Sequence, residues 1–95
     1  MRRGRLPLTA LRSFEAAGRL ASISRAADEL FVSQAAVSRQ VRDLEELLGT
    51  KLFERGHRRV SLTSAGQILL AELTASFDAI ERGMEAISTH ERSQT

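Results

Sequence analysis

Between Ser33 and Arg42 the chain reads Ser-Gln-Ala-Ala-Val-Ser-Arg-Gln-Val-Arg, and its polar side chains recur at helical spacing. On a wheel of about 100° per residue, with Gln34 at zero, Ser38, Arg42, Ala35 and Arg39 fall between roughly 40° and 140°. Leu44, Val37, Leu48 and Val41 fall between roughly 280° and 340° on the same wheel. One face can anchor in a core while the other meets a partner. An amide such as Gln34 can pair with adenine and a guanidinium such as Arg39 with guanine. Ser33 is a good N-cap, and the helix start it leaves is suited to phosphate. Farther along, Asp43, Glu45 and Glu46 repel phosphates, so the C-terminal end is expected to point away from DNA. The plain alternative is a solvated face, with Arg39 paired to Asp43 at i+4 and Arg42 to Glu45 or Glu46.

Such a helix has to be held by others. Leu8, Leu11, Phe14, Ala16 and Ala17 recur as one helical face, so a first helix is expected from about Leu8 to Gly18, after Pro7. Ser22 or Ser24 caps a second helix that buries Ala26, Ala27 and Leu30. Phe31-Val32 makes a tight turn into the third helix, which Gly49 ends. Leu52–Arg55 and Val60–Leu62 read as a short two-stranded hairpin, with Phe53, Val60 and Leu62 facing the core. Its tip, Gly56–Arg59, gathers basic side chains with Arg55, Arg58 and Arg59 on one small wing; a solvated loop is the bland alternative. Thr63 or Ser64 then caps a last helix through about Ser88, Ser64 and Gln67 having capping-box spacing. Within it Leu70, Leu73, Phe77, Ile80, Met84 and Ile87 follow at alternating spacings of three and four, a heptad seam. So long a helix outruns a domain this small, so the seam is expected to pair with a second chain, Gly83 being its weak point. The alternative is a first half packed on the domain and a fraying remainder.

Composition narrows the classes. Ninety-five residues make one small domain, with no Cys for disulfides or thiolate metal sites. Residues 1–60 hold 12 Lys and Arg against 7 Asp and Glu, whereas residues 61–95 hold 2 against 5. The polyanion contact is therefore expected in the first part alone. Thirteen of the basic residues are Arg, whose rigid fork suits phosphate and guanine edges. His57 and His90 have no partners at ligand spacing, so neither metal nor cofactor is expected. No apolar run is long enough for a bilayer, and a reducing cytoplasm is the simplest compartment. An enzyme is disfavoured: the Ser residues lack a His–Asp constellation and there is no Gly-rich phosphate loop. A pure protein-interaction module would leave the Ser33–Arg42 face without a purpose.

Six segments together resemble the N-terminal DNA-binding domain of LysR-type transcriptional regulators. They are Leu11–Ala17, Ser24–Leu30, Val32–Gln40, Leu44–Gly49, Leu52–Arg55 and Leu62–Gly66, in the family's order and spacing. Leu6–Leu11 and Leu73–Asp78 further resemble the branch of glycine-cleavage and β-lactamase regulators. The resemblance implies a mainly α fold: a winged helix-turn-helix of three helices and a short β wing over 1–62, then a linker helix over 63–90. The tail 91–95 is expected to be disordered. It also implies that Gln34, Ala35, Ser38 and Arg39 enter the major groove, that Arg58 approaches the minor groove from the wing, and that Arg55 holds backbone. Ala35 stands where family members often carry Pro, leaving a methyl that can meet thymine. Ser33, Arg25, Arg42 and Arg59 are expected on phosphates, which fixes register without reading sequence. Family members dimerise through the linker helix, so a homodimer on operator DNA is expected. The sequence leaves the pairing parallel or antiparallel, and the resemblance favours antiparallel. The family's effector-binding domain is absent from this sequence, which implies a piece of a longer regulator and leaves any inducer site outside it.

Overall fold

The structure is a computed structural model that describes residues 2–54 and 60–93. A 3-10 turn at Arg3–Arg5 leads through Pro7 into α1, Leu8–Leu20. Pro7 precedes the first helical residue, where its carbonyl accepts from the Leu11 N–H at 2.9 Å. The helix runs through Gly18 because that glycine is a place of close approach, not a stop. A Cβ there would lie 3.1 Å from the Leu70 side chain. The second helix, α2, spans Ile23–Leu30, with the Ser22 hydroxyl accepting from the Arg25 N–H at 3.1 Å. Ser22, not Ser24, is therefore the cap. The third, α3, spans Gln34–Leu48; the Ser33 hydroxyl accepts from the Ala36 N–H and Gly49, at φ 68°, closes it. The expected caps of α3 are both where the sequence puts them.

Phe14, Ala17, Ala26, Val37, Leu44 and Leu52 form the centre of one core. The Phe14 ring meets Phe53 at a centroid distance of 5.2 Å and an angle of 47°, a tilted pair. Small Ala26 and Ala27 let α2 lie close to its neighbours, and all three helices contact one another. Ser13 and Gln40 add a side-chain hydrogen bond between α1 and α3. Leu48, although central to the apolar arc of the wheel, is exposed as the last residue of its helix.

Among the described residues the expected two-stranded wing comes down to one antiparallel bridge, Phe53 with Leu62. The Glu54 N–H also donates to the Ser61 carbonyl at 2.7 Å. Among the described residues the ladder goes no further. The Leu52 N–H, which would extend it toward the Thr63 carbonyl, donates instead to the Glu45 carboxylate at 2.8 Å. The Phe53 N–H, which faces away from Leu62, joins it at 3.3 Å. The tip with Arg55, Arg58 and Arg59 lies outside the described residues.

The last helix, α4, spans Ser64–Ser93. Its cap is Thr63, whose hydroxyl accepts from the Gly66 N–H at 3.1 Å and donates to the Lys51 carbonyl at 2.7 Å. The capping-box reading of Ser64 with Gln67 gives way to this arrangement. The helix continues past His90 into the stretch read as a disordered tail; the Ser93 hydroxyl donates to the Thr89 carbonyl at 2.9 Å there. Thirty residues make a helix about 45 Å long. It stretches the molecule to 55 Å against a least dimension of 20 Å.

Candidate nucleic-acid interface

The start of α3 is open on one side and anchored on the other. Val37, Val41 and Leu44 are buried, whereas Ser33, Gln34, Ala35, Arg39 and Arg42 are exposed and Ser38 is half-buried. Arg25, in the first turn of α2, is exposed as well. Among the described residues no carboxylate holds Arg25, Arg39 or Arg42, so the pairing of Arg39 with Asp43 is not made. The face thus offers one amide, a hydroxyl edge, a methyl and three unneutralised guanidinium groups. With the Ser33 cap, it places the positive end of the helix dipole beside them.

Two buried carboxylates, Glu45 and Glu15, set how this face is held. Glu45 is 4% exposed and gathers the Leu52 and Phe53 N–H groups, tying the end of α3 to the segment that follows it. The wheel contained the signal: Glu45 falls at about 20°, roughly 40° from Val41. Glu15, also buried, follows Phe14 and stands four residues after Leu11 on the core side of α1. It accepts from Thr74 of α4 at 2.9 Å and pairs with Arg19 at 2.9 Å. The Arg19 guanidinium reaches Glu29 of α2 with its other nitrogens. Glu29 first, and Glu15 second, raise Arg19 above its ordinary pKa, and Arg19 in turn lowers that of Glu29. One guanidinium so links α1, α2 and, through Glu15, α4.

The expected seam on α4 divides. Leu70, Leu73 and Phe77 pack half-buried against the chain's own core, as the alternative reading of that helix had it. Ile80, Met84 and Ile87 are exposed. Between α1 and the middle of α4 an open groove of about 730 Å³ is lined by Leu8, Leu30, Phe77 and Ile80, among others.

A profile for bacterial regulatory helix-turn-helix proteins of the LysR family matches residues 8–67. The chain is 58% identical over 79 residues to the HTH-type transcriptional activator AmpR of Providencia stuartii, covering 83% of this chain and 27% of that protein. It is 50% identical over 74 residues to the glycine cleavage system transcriptional activator of Escherichia coli strain K12, covering 78% and 24%. The chain thus spans about a quarter of the length of these curated relatives. Among solved structures it is similar to the BenM DNA-binding domain in complex with catB site 1 DNA. The TM-score is 0.77 at 33% identity, over 86% of this chain and 91% of that one. A profile match over more than half its length, with a fold similar to a solved DNA-binding domain at a TM-score of 0.77, establishes that this chain belongs to the LysR family of bacterial helix-turn-helix regulators.

Proposed function

We propose that the chain binds duplex DNA with sequence preference, as a homodimer, and that it is a recognition module and not an enzyme. The observation that carries this reading is the exposed, unneutralised face at the start of α3, backed by a fully buried one. Relatives named as transcriptional activators and a solved neighbour bound to DNA support it. In this reading α3 enters the major groove N-terminus first. Gln34, Ala35, Ser38 and Arg39 meet base edges, a good bidentate pair being worth about 1–3 kcal/mol of discrimination. Ser33, Arg25 and Arg42 hold phosphates, joined by a wing whose Arg55 and Arg59 grip backbone and whose Arg58 approaches the minor groove. The two copies pair through α4 by Ile80, Met84 and Ile87, with Leu70, Leu73 and Phe77 at the domain side of the same stripe. Half-sites then lie about one helical turn apart, ~34 Å.

The test is binding at two salt concentrations to a duplex selected from a random library and to an unselected duplex of equal length. Affinity for both is expected to fall as salt rises, with the selected duplex bound more tightly throughout. Equal affinity for the two duplexes at every salt concentration refutes sequence reading.

A further inference from the structure

The three helices of the headpiece end alike, but with different residues. The position after each last turn is left-handed: Ala21 at φ 52°, Phe31 at 57° and Gly49 at 68°. In each case the following N–H reaches back five residues, Ser22 to Ala17 at 3.2 Å, Val32 to Ala27 at 3.1 Å and Thr50 to Glu45 at 3.2 Å. Glycine is the usual occupant of such a place, and a bulky side chain there is uncommon. Phe31 nevertheless puts a benzyl group there, with 95% of the residue exposed. Phe14 and Phe53 pack in or against the core and Phe77 along its side, but Phe31 is not part of that packing. Neither backbone preference nor burial explains an aromatic ring at this turn.

Its surroundings do. Phe31 begins an unbroken exposed stretch through Ala35, two residues before the Ser33 cap and three before Gln34. Its own N–H and that of Val32 are both bonded to carbonyls of α2, so the turn holds a defined shape beside the start of α3. The nearest acids, exposed Asp28 and Glu29, lie on α2 behind the turn, Glu29 being held by Arg19. Exposed Arg39 and Ser33–Gln34 lie ahead of it on α3, and Arg25 opens α2. A partner approaching the α3 start is thus selected for negative charge. Duplex DNA offers that charge together with apolar groups that a phenyl ring can cover, thymine methyls and deoxyribose.

We infer that Phe31 is a DNA-contacting residue, its ring resting on a thymine methyl or a deoxyribose at the edge of the half-site that α3 enters. This rests on the DNA-binding reading above and extends the contact set beyond the face read from the helix wheel. The position also supplies its own control. Phe31→Gly removes the ring and relieves the left-handed backbone, so the variant keeps its helix content and melts at an equal or higher temperature.

The experiment compares wild-type and Phe31→Gly chains by fluorescence anisotropy on a duplex selected from a random library with the wild-type chain. The expected result is roughly fivefold weaker binding by the variant, the scale of one small apolar contact. A second duplex carries deoxyuridine for thymidine. A difference between the chains that shrinks on it assigns the ring to a methyl, and one that persists assigns it to deoxyribose; both uphold the contact. Equal affinities of the two chains for the thymidine duplex overturn the inference and leave the ring to a protein partner. Failure of the wild-type chain to bind any duplex instead defeats the underlying reading, a distinct outcome.

Discussion

Leu70, Leu73 and Phe77 lie half-buried along the headpiece, while Ile80, Met84 and Ile87, on the same seam of the same helix, are 58%, 68% and 66% exposed. The two halves of α4 have one periodicity and two environments. Apolar spacing states that a face is to be covered; it does not state by which chain. The first half is covered because Gly18, Leu52 and Thr63 bring α4 against the headpiece at close range. Beyond Phe77 the headpiece ends and the stripe goes on.

The glycines of α4 separate the halves most sharply. A Cβ on Gly66 would stand 2.1 Å from the Leu52 carbonyl oxygen, which is backbone and cannot swing aside. Gly66→Ala is therefore expected to destabilise the chain by about 3 kcal/mol, lowering its melting temperature by some 10–20 °C. A normal melt for that variant would mean that the first half of α4 is not seated as described. Ile80→Asp acts on the other half. It is expected to reduce the dimerisation constant about tenfold or more in sedimentation, with headpiece helicity retained. An unchanged monomer–dimer balance would remove Ile80 from any pairing face. Gly83, with nothing within 4 Å of its would-be Cβ, is smaller in effect and opposite in sign to Gly66. Gly83→Ala should raise stability by about 1 kcal/mol through helix propensity, read from a thermal melt by circular dichroism. A loss of dimer instead would place Gly83 in close contact with the second copy.

The smallest effect concerns acid. Arg19 keeps the Glu29 carboxyl below its ordinary pKa, so the unfolded chain takes up a proton there before the folded one does. The stability this pair adds is complete above the ordinary carboxylate range and is lost as pH falls through the lowered value. Both groups are partly exposed, at 37% and 42% of their side chains, so solvent and salt weaken the pair further. Urea denaturation at neutral and acid pH should show Glu29→Gln losing slightly less on acidification than wild type. Equal losses would show that the pair carries no stability.

Much of this arrangement is written locally. Ser33 and Gly49 bracket α3 because an oxygen cap and a left-handed glycine are short-range requirements, and both ends stand where those residues put them. The buried and exposed arcs of α3 follow from its spacing in the same way. What is not written locally is what tertiary contacts decide. Gly18 looks like a helix stop until Leu70 is seen against it. Glu15 and Glu45 look like solvent acids until Thr74 and the Leu52 and Phe53 N–H groups meet them. The Leu52 contact with Glu45 also stops the ladder after one antiparallel bridge among the described residues, where the sequence suggested a two-stranded hairpin. Phe31 was legible as a turn residue but not as an exposed ring, since exposure depends on what fails to cover it.

The central claim is that the start of α3 reads sequence, and Arg39 tests it most directly, being exposed and free of any carboxylate among the described residues. Affinities of wild-type and Arg39→Ala chains should be measured on the selected and the unselected duplex at one salt concentration. Loss of a base pair contact worth about 1–3 kcal/mol predicts a selected-to-unselected ratio that falls by about tenfold, with binding to the unselected duplex reduced much less. Equal weakening on both duplexes would make Arg39 a phosphate contact and contradict sequence reading by this face.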